Sequence, residues 1–307
     1  MVVERLKGAL TALITPFDAA GEVDLVALER IVQKQLAQGI DGLVPCGTTG
    51  ETPTLEVSEQ ERVVRTVVDL ADRRVPVIAG TGSNSTRIAI EQTRRAKAWG
   101  VDAALVVCPY YNKPTQEGMF QHFKAIWEAT GMPLVVYNVP SRTVTDLLPE
   151  TIGRLAEAGI IVGIKDATAD MARCAETRTA VGDRSVAFLS GDDFTILPYM
   201  ATGGVGVISV VSNLCPADTS RLVMESAAGN FAVARPLNQR LVALTRVLFS
   251  SSSPIPLKAG MAAAGWCENR LRLPLCSGDA ALTSRVMDAM NRYRGEAVTA
   301  SLAGWMS

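Results

Sequence analysis

Lys165 stands near the end of a short apolar run, Gly159-Ile160-Ile161-Val162-Gly163-Ile164-Lys165-Asp166. A run this apolar and rich in β-branched residues reads as a strand buried on both faces, where an ammonium is costly unless it is paired or deprotonated. Burial lowers a lysine pKa and frees the amine as a nucleophile, so the site suits Schiff-base chemistry. A strand-end lysine that snorkels to water or pairs with Asp166 is the competing reading. The other candidate groups fall at similar places. Gly47-Thr48-Thr49-Gly50-Glu51 joins two glycines, two hydroxyls and a carboxylate, a nest whose backbone N–H groups can approach a small anion, or else a tight turn that caps a helix. Cys108-Pro109-Tyr110-Tyr111-Asn112 and Tyr137-Asn138-Val139-Pro140-Ser141-Arg142 supply tyrosines fit for a proton relay and an arginine fit for a carboxylate. Equally, the tyrosine rings could pack beneath a loop. Ser190-Gly191-Asp192-Asp193 offers paired acids, but no further ligand cluster accompanies them, and capping of the next helix is the simpler role.

The elements that must position these groups alternate in type. Apolar strand patterns run over Ala9–Thr15, Gly42–Cys46, Val75–Ala79, Ala103–Cys108, Pro133–Asn138, Ile160–Lys165, Val186–Ser190 and Val205–Val211. Amphipathic helical patterns lie between them, as in Val57–Ala71 and Ser85–Trp99. Eight such units match a closed (β/α)8 TIM barrel, whose chemistry sits where strands end and βα loops begin. An open doubly wound sheet is disfavoured because the first turn lacks the G-x-G-x-x-G fingerprint. After Gly229 the strand signal stops, and helical patterns follow over 232–249, 256–264 and 278–293. The expected organisation is therefore a barrel over residues 1–229 and a C-terminal helical appendage over 230–307, with Ser250–Pro254 a loop inside the appendage.

Composition narrows the function. A net charge of −1 and a pI near 6.0 give no electrostatic footprint for nucleic acid or an anionic membrane. No apolar stretch reaches the length of a membrane span, and the N-terminus lacks signal-peptide regions, so a cytoplasmic protein is expected. The six cysteines are scattered without a C-x-x-C pair and read as free thiols, mainly buried. The single histidine, His122, lies in a helical segment without H-E-x-x-H spacing and reads as an ordinary helix residue. Acid–base work then falls to Tyr, Lys, Asp, Glu or Cys.

Taken in order, G-T-T-G-E, P-Y-Y-N, Y-N-V-P-S-R-T and G-I-K-D at successive strand ends resemble the dihydrodipicolinate synthase/N-acetylneuraminate lyase family of class I aldolases. The likeness extends from Gly8 into the helical tail, where Pro254-Ile255-Pro256-Leu257-Lys258 and Leu271-Arg272-Leu273-Pro274 also look like family segments. The threonine pair, the P-S-R-T continuation and S-G-D-D resemble the synthase branch. That resemblance implies that Lys165 attacks the ketone of pyruvate, forming an imine whose enamine tautomer is the carbon nucleophile. It implies that Tyr137 shuttles protons and is linked through Thr48 to Tyr111, which reaches in from a neighbouring subunit. Thr48 and Thr49 would bind the pyruvate carboxylate, Arg142 the carboxylate of aspartate 4-semialdehyde, and Gly191 and Ile208 would line the pyruvate pocket. The expected product is 4-hydroxy-tetrahydrodipicolinate, on the way to diaminopimelate and lysine, made by a homotetramer built as a dimer of dimers. No metal or organic cofactor is implied, because the lysine itself is the electron sink.

Two alternatives share this barrel. A sibling aldolase acting on N-acetylneuraminate or a 2-keto-3-deoxy sugar acid would use the same lysine and tyrosine, but Arg142 after Pro140-Ser141 favours a small carboxylated aldehyde over a polyol. A non-catalytic binding protein has little need of an amine in an apolar strand. Some positions depart from the family pattern. Asp166 replaces the glutamate found in many members. In members inhibited by lysine, an interface cleft presents histidines and a glutamate, where this chain has Val57, Gln60 and Ile88; only Asn84 and Tyr110 fit. Apolar groups there cannot offset the desolvation of a charged effector, so inhibition by lysine should be weak or absent.

Overall fold

The computed structural model describes residues 2–303, with side chains to residue 295. Eight parallel strands form its centre: β1 (Gly8–Ala12), β2 (Gly42–Val44), β3 (Ile78–Gly80), β4 (Ala103–Val107), β5 (Leu134–Asn138), β6 (Ile161–Asp166), β7 (Ala187–Ser190) and β8 (Gly206–Ser209). Their order, β2-β1-β8-β7-β6-β5-β4-β3, leaves β2 and β3 at the ends of the hydrogen-bonded sequence. A parallel bridge between Leu43 and Val77, with Leu43 N–H donating to Pro76 O at 3.0 Å, closes the ring. This is the expected (β/α)8 barrel; β1, β2, β4 and β8 end before their apolar runs do, β3, β5 and β7 begin after theirs, and β6 keeps six residues shifted by one position.

Side-chain alternation sorts the strands into two apolar clusters. Leu10, Ala12, Val44, Ala103, Leu105, Val135, Tyr137, Leu189 and Ile208 fill the barrel interior. Their neighbours Ala9, Leu43, Ala104, Val106, Leu134, Val136, Ile164 and Phe188 face the surrounding helices. That outer cluster continues into the C-terminal region through Leu244, Leu248, Leu257, Met261 and Val286. The helices Phe231–Leu248, Ile255–Ala263 and Ala280–Ala303 thus pack on the barrel as an extension of its outer layer. The last of them runs beyond the expected end at Tyr293. Where strands approach closest, only glycine fits: a Cβ on Gly206 would lie 2.1 Å from Gly8 O.

The helix Val57–Ala71 has the bounds its periodicity predicts, and it begins with a capping box between Glu56 and Glu59. The short helix Val2–Arg5 carried no periodic signal; it is followed by fully buried Leu6, and Arg5 pairs with Asp102 at 3.0 Å. All six cysteines are free; Cys46, Cys108 and Cys174 are buried, Cys215 and Cys267 are partly so, and Cys276 is exposed. Among the described residues, no helix is long and apolar enough to cross a membrane.

Candidate active site

Lys165 owes its inward aim to an irregularity in β6. Leu134 pairs with Ile161, but Val135 pairs with Gly163, so β6 carries one extra residue against β5. Ile161 and Ile164 both belong to the outer cluster, which two-residue alternation alone does not allow. The bulge resets the phase, Tyr137 and Lys165 become partners across the two strands, and both point into the barrel.

There Lys165 is 6 % exposed, and its Nζ lies 4.1 Å from the centroid of the Tyr137 ring. Burial pushes its pKa down to about 8; the Asp193 carboxylate works against that shift, and the Arg142 guanidinium adds to it. Burial raises the Tyr137 phenol to about 12, so it holds its proton at neutral pH and is available as a donor. Gly191 packs against the lysine stem: a Cβ there would meet Lys165 Cγ at 3.0 Å. Its N–H donates to Asp166 O at 2.6 Å, while Asp166 Oδ1 accepts from the N–H and hydroxyl of Thr168. The shorter acid at this position is thus satisfied within its own loop. Ile208 is buried in the interior cluster that holds Tyr137.

A cavity of about 650 Å³ reaches Tyr137, whereas Lys165, Gly191 and Ile208 lie outside its lining. Thr48, Tyr137 and Arg142 line it together with Gly47, Leu105 and Val139. Thr48 is exposed to it, whereas Thr49 is 5 % exposed and sits beneath. The turn that carries both is tightly bonded: Gly50 N–H donates to Gly47 O, Glu51 N–H to Thr48 O, and Thr15 Oγ1 to Gly50 O. Arg142 stands on the helical turn Pro140–Thr143 at the end of β5. Further out, the same opening reaches Val57, Gln60 and Tyr110.

Tyr111 is the candidate that this single chain does not bring to the site. Its side chain is 88 % exposed and its backbone left-handed, with φ of 74°. His122 lies elsewhere, buried in the helix Gln116–Thr130, with Nδ1 at 2.9 Å from Thr86 Oγ1 and its pKa lowered by burial to about 4. Asp192 caps the turn Asp193–Thr195 by accepting from Phe194 N–H. No cluster of three or more His, Cys, Asp or Glu that could hold a metal ion occurs among the described residues.

Two positions gain a part that sequence patterning did not assign. Asp193, read as a helix cap, is fully buried and accepts from Val210 and Val211 N–H at 2.9 Å each, tying the end of β7 to that of β8 beside Lys165. Glu51 meets Lys258 of the C-terminal region at 2.5 Å, with both side chains buried. An apolar flank around Lys258 was the available signal, but nothing local to either residue identifies its partner.

Comparison with known proteins places these features in context. The model of the dihydrodipicolinate synthetase family matches residues 5–292. The 4-hydroxy-tetrahydrodipicolinate synthase of Anaeromyxobacter sp. (strain Fw109-5) is 51 % identical over 289 residues, covering 94 % of this chain and 98 % of the relative. The 4-hydroxy-tetrahydrodipicolinate synthase structure from Methylacidiphilum fumariolicum SolV superposes with a TM-score of 0.92 at 41 % identity, covering 95 % of this chain and 97 % of that one. The chloride-inhibited dihydrodipicolinate synthase from Acinetobacter baumannii, complexed with pyruvate, gives 0.91 at 42 % identity over 94 % and 99 %.

Proposed function

We propose, on the premise that this chain belongs to the dihydrodipicolinate synthetase family, that Lys165 is the Schiff-base nucleophile of its reaction. The protein is an enzyme of the lyase class that condenses pyruvate with aspartate 4-semialdehyde to give 4-hydroxy-tetrahydrodipicolinate. The observation that carries the site assignment is the Lys165 amine, buried inside the barrel with its pKa lowered to about 8 and facing the Tyr137 ring.

The neutral Lys165 amine adds to the C2 carbonyl of pyruvate and water leaves, giving the imine; loss of a C3 proton gives the enamine. Enamine carbon attacks the aldehyde, and the amino group of the second substrate then displaces Lys165 as the ring closes, regenerating the free amine. Tyr137, protonated and adjacent, moves protons in these steps, with Thr48 and Tyr111 completing the relay. Thr48 and Thr49 hold the pyruvate carboxylate, Gly191 and Ile208 shape its pocket, and Arg142 at the cavity wall receives the carboxylate of the aldehyde through a bidentate contact. The guanidinium suits a small acid better than a sugar chain, which sets this reading above a sugar-acid aldolase. Residues up to 229 carry the chemistry and the described residues from 230 to 303 form the helical region; the expected ends at 1 and 307 lie outside the described residues. Because Tyr111 faces outward, the working form is an oligomer, a homotetramer of two dimers, acting in the cytoplasm.

Intact mass after borohydride reduction with pyruvate, followed by a coupled assay with aspartate semialdehyde and a reductase, tests this reading. A pyruvate adduct on Lys165 with turnover is expected. An adduct without turnover would move the assignment to a sibling aldolase, and no adduct would remove Lys165 from the mechanism.

A further inference from the structure

The turn carrying Thr48 and Thr49 is anchored from outside the barrel. Glu51, at its end, is 2 % exposed and adopts the left-handed region with φ of 54°, a conformation that a non-glycine residue keeps only where its surroundings enforce it. Those surroundings come from the C-terminal region. Lys258, fully buried, places Nζ 2.5 Å from Glu51 Oε1, 4.0 Å from the Phe17 ring centroid, and donates to Arg270 O at 2.9 Å. Arg272 donates its backbone N–H to Glu51 Oε2 at 3.1 Å. Its guanidinium also stacks 4.6 Å from Phe17, binds Thr54 O at 2.9 Å and grips both oxygens of Glu59, the residue that completes the capping box of the helix Val57–Ala71. The whole stretch from Glu51 to Glu59 is thus held by two cations of the appendage.

Two charges buried this deeply are a poor choice for stability alone, since apolar side chains of similar volume can replace such a pair without loss. What an ion pair does better is fix one geometry. We propose that Lys258 and Arg272 are positioning residues for pyruvate: through Glu51 they hold the Thr48–Thr49 turn in the shape that keeps its donors aimed at the substrate carboxylate. The idea rests on the assignment of the threonine pair to that carboxylate. Glu51 N–H bonds Thr48 O at 3.1 Å, so any shift of the Glu51 backbone that follows from its side chain moving is passed to the binding turn. Arg142, on the turn Pro140–Thr143 after β5, makes no hydrogen bond or ion pair with this brace among the described residues, and the second substrate should not feel its loss.

The test compares Lys258→Met, Arg272→Gln and Thr49→Val in the full-length protein. Two quantities are read: the pyruvate concentration giving half-maximal borohydride-trapped adduct, and KM for aspartate semialdehyde. Lys258→Met and Arg272→Gln should each raise the first about tenfold or more while leaving the second within about twofold, since sub-ångström misplacement of donors is felt by the anion they bind. A lowered melting temperature with both quantities unchanged, or an equal rise in both, would overturn the proposal and leave a purely structural brace. Should Lys258→Met not fold, Glu51→Gln, which keeps the backbone of the turn and removes the charge the brace grips, decides on the same criteria. Thr49→Val separates the two ideas: if it raises half-saturation and the brace variants do not, positioning fails alone, whereas no effect of Thr49→Val removes the threonine pair from pyruvate binding and the brace proposal with it.

Discussion

Lys165, the proposed nucleophile, is buried at a cost to stability. With its pKa near 8, about a tenth of the amine is neutral at pH 7, roughly two to three hundred times more than at the ordinary lysine value of 10.5. The rate of imine formation should therefore climb about tenfold per pH unit below 8 and level off above it, as read by borohydride trapping at fixed pyruvate. The single histidine cannot shape that profile, because its pKa near 4 keeps it neutral over the same range. The stability consequence has the opposite cause. Between about 8 and 10.5 the unfolded chain binds more protons at this position than the folded one, so the penalty for burying the ammonium is full below 8 and fades as pH rises through that window. Lys165→Met should accordingly abolish the adduct while its melting temperature at pH 7 equals or exceeds that of the wild type. A large drop in that temperature would show the lysine to be structural.

At the scale of elements, the barrel depends on close approach between strands. Gly206 lets β8 lie against β1, and a methyl group there would meet the carbonyl oxygen of Gly8 at 2.1 Å. Because the obstacle is backbone on both sides, Gly206→Ala should cost about 3 kcal/mol in chemical denaturation, at the upper end of overpacking penalties. A loss under about 1 kcal/mol would mean that the strands part more easily than their pairing suggests. The bulge in β6 matters in another way. Strict alternation from Ile161 would turn Lys165 toward the helices, and the one extra residue opposite β5 turns it into the barrel interior beside Tyr137 instead.

For the whole molecule, Tyr111, proposed for the proton relay, is 88 % exposed at the surface of its own barrel. If that hydroxyl serves a neighbour, two inactive variants should complement each other. Mixing Lys165→Ala with Tyr111→Phe through unfolding and refolding should restore roughly a quarter of wild-type activity, since half of randomly assembled pairs are mixed and each carries one intact site. No recovery would place Tyr111 in cis or outside the mechanism. The outer reach of the cavity carries a second expectation. Val57 and Gln60 line it, and Ile88 is 38 % exposed, so a lysine bound there would meet apolar side chains at two of the three positions expected to hold it. Millimolar lysine should leave turnover nearly unchanged, and strong suppression would refute this.

The barrel and its repeating βα units were legible in the sequence because each strand and helix is specified by a local apolar period, and the helix Val57–Ala71 came out with the bounds its period predicts. The chemical types at the strand ends were legible for the same reason: Lys165, Tyr137 and Arg142 follow runs whose C-terminal ends must open onto one face. Geometry that depends on two distant segments was not. The phase of β6 is set by its pairing with β5, Asp193 acts by bracing the end of β8, and Glu51 is fixed by Lys258 and Arg272, which approach it only once the C-terminal helices close over the barrel. Periodicity is a property of neighbours in the chain, whereas register and buried ion pairs belong to neighbours in space, and only the folded chain brings those together.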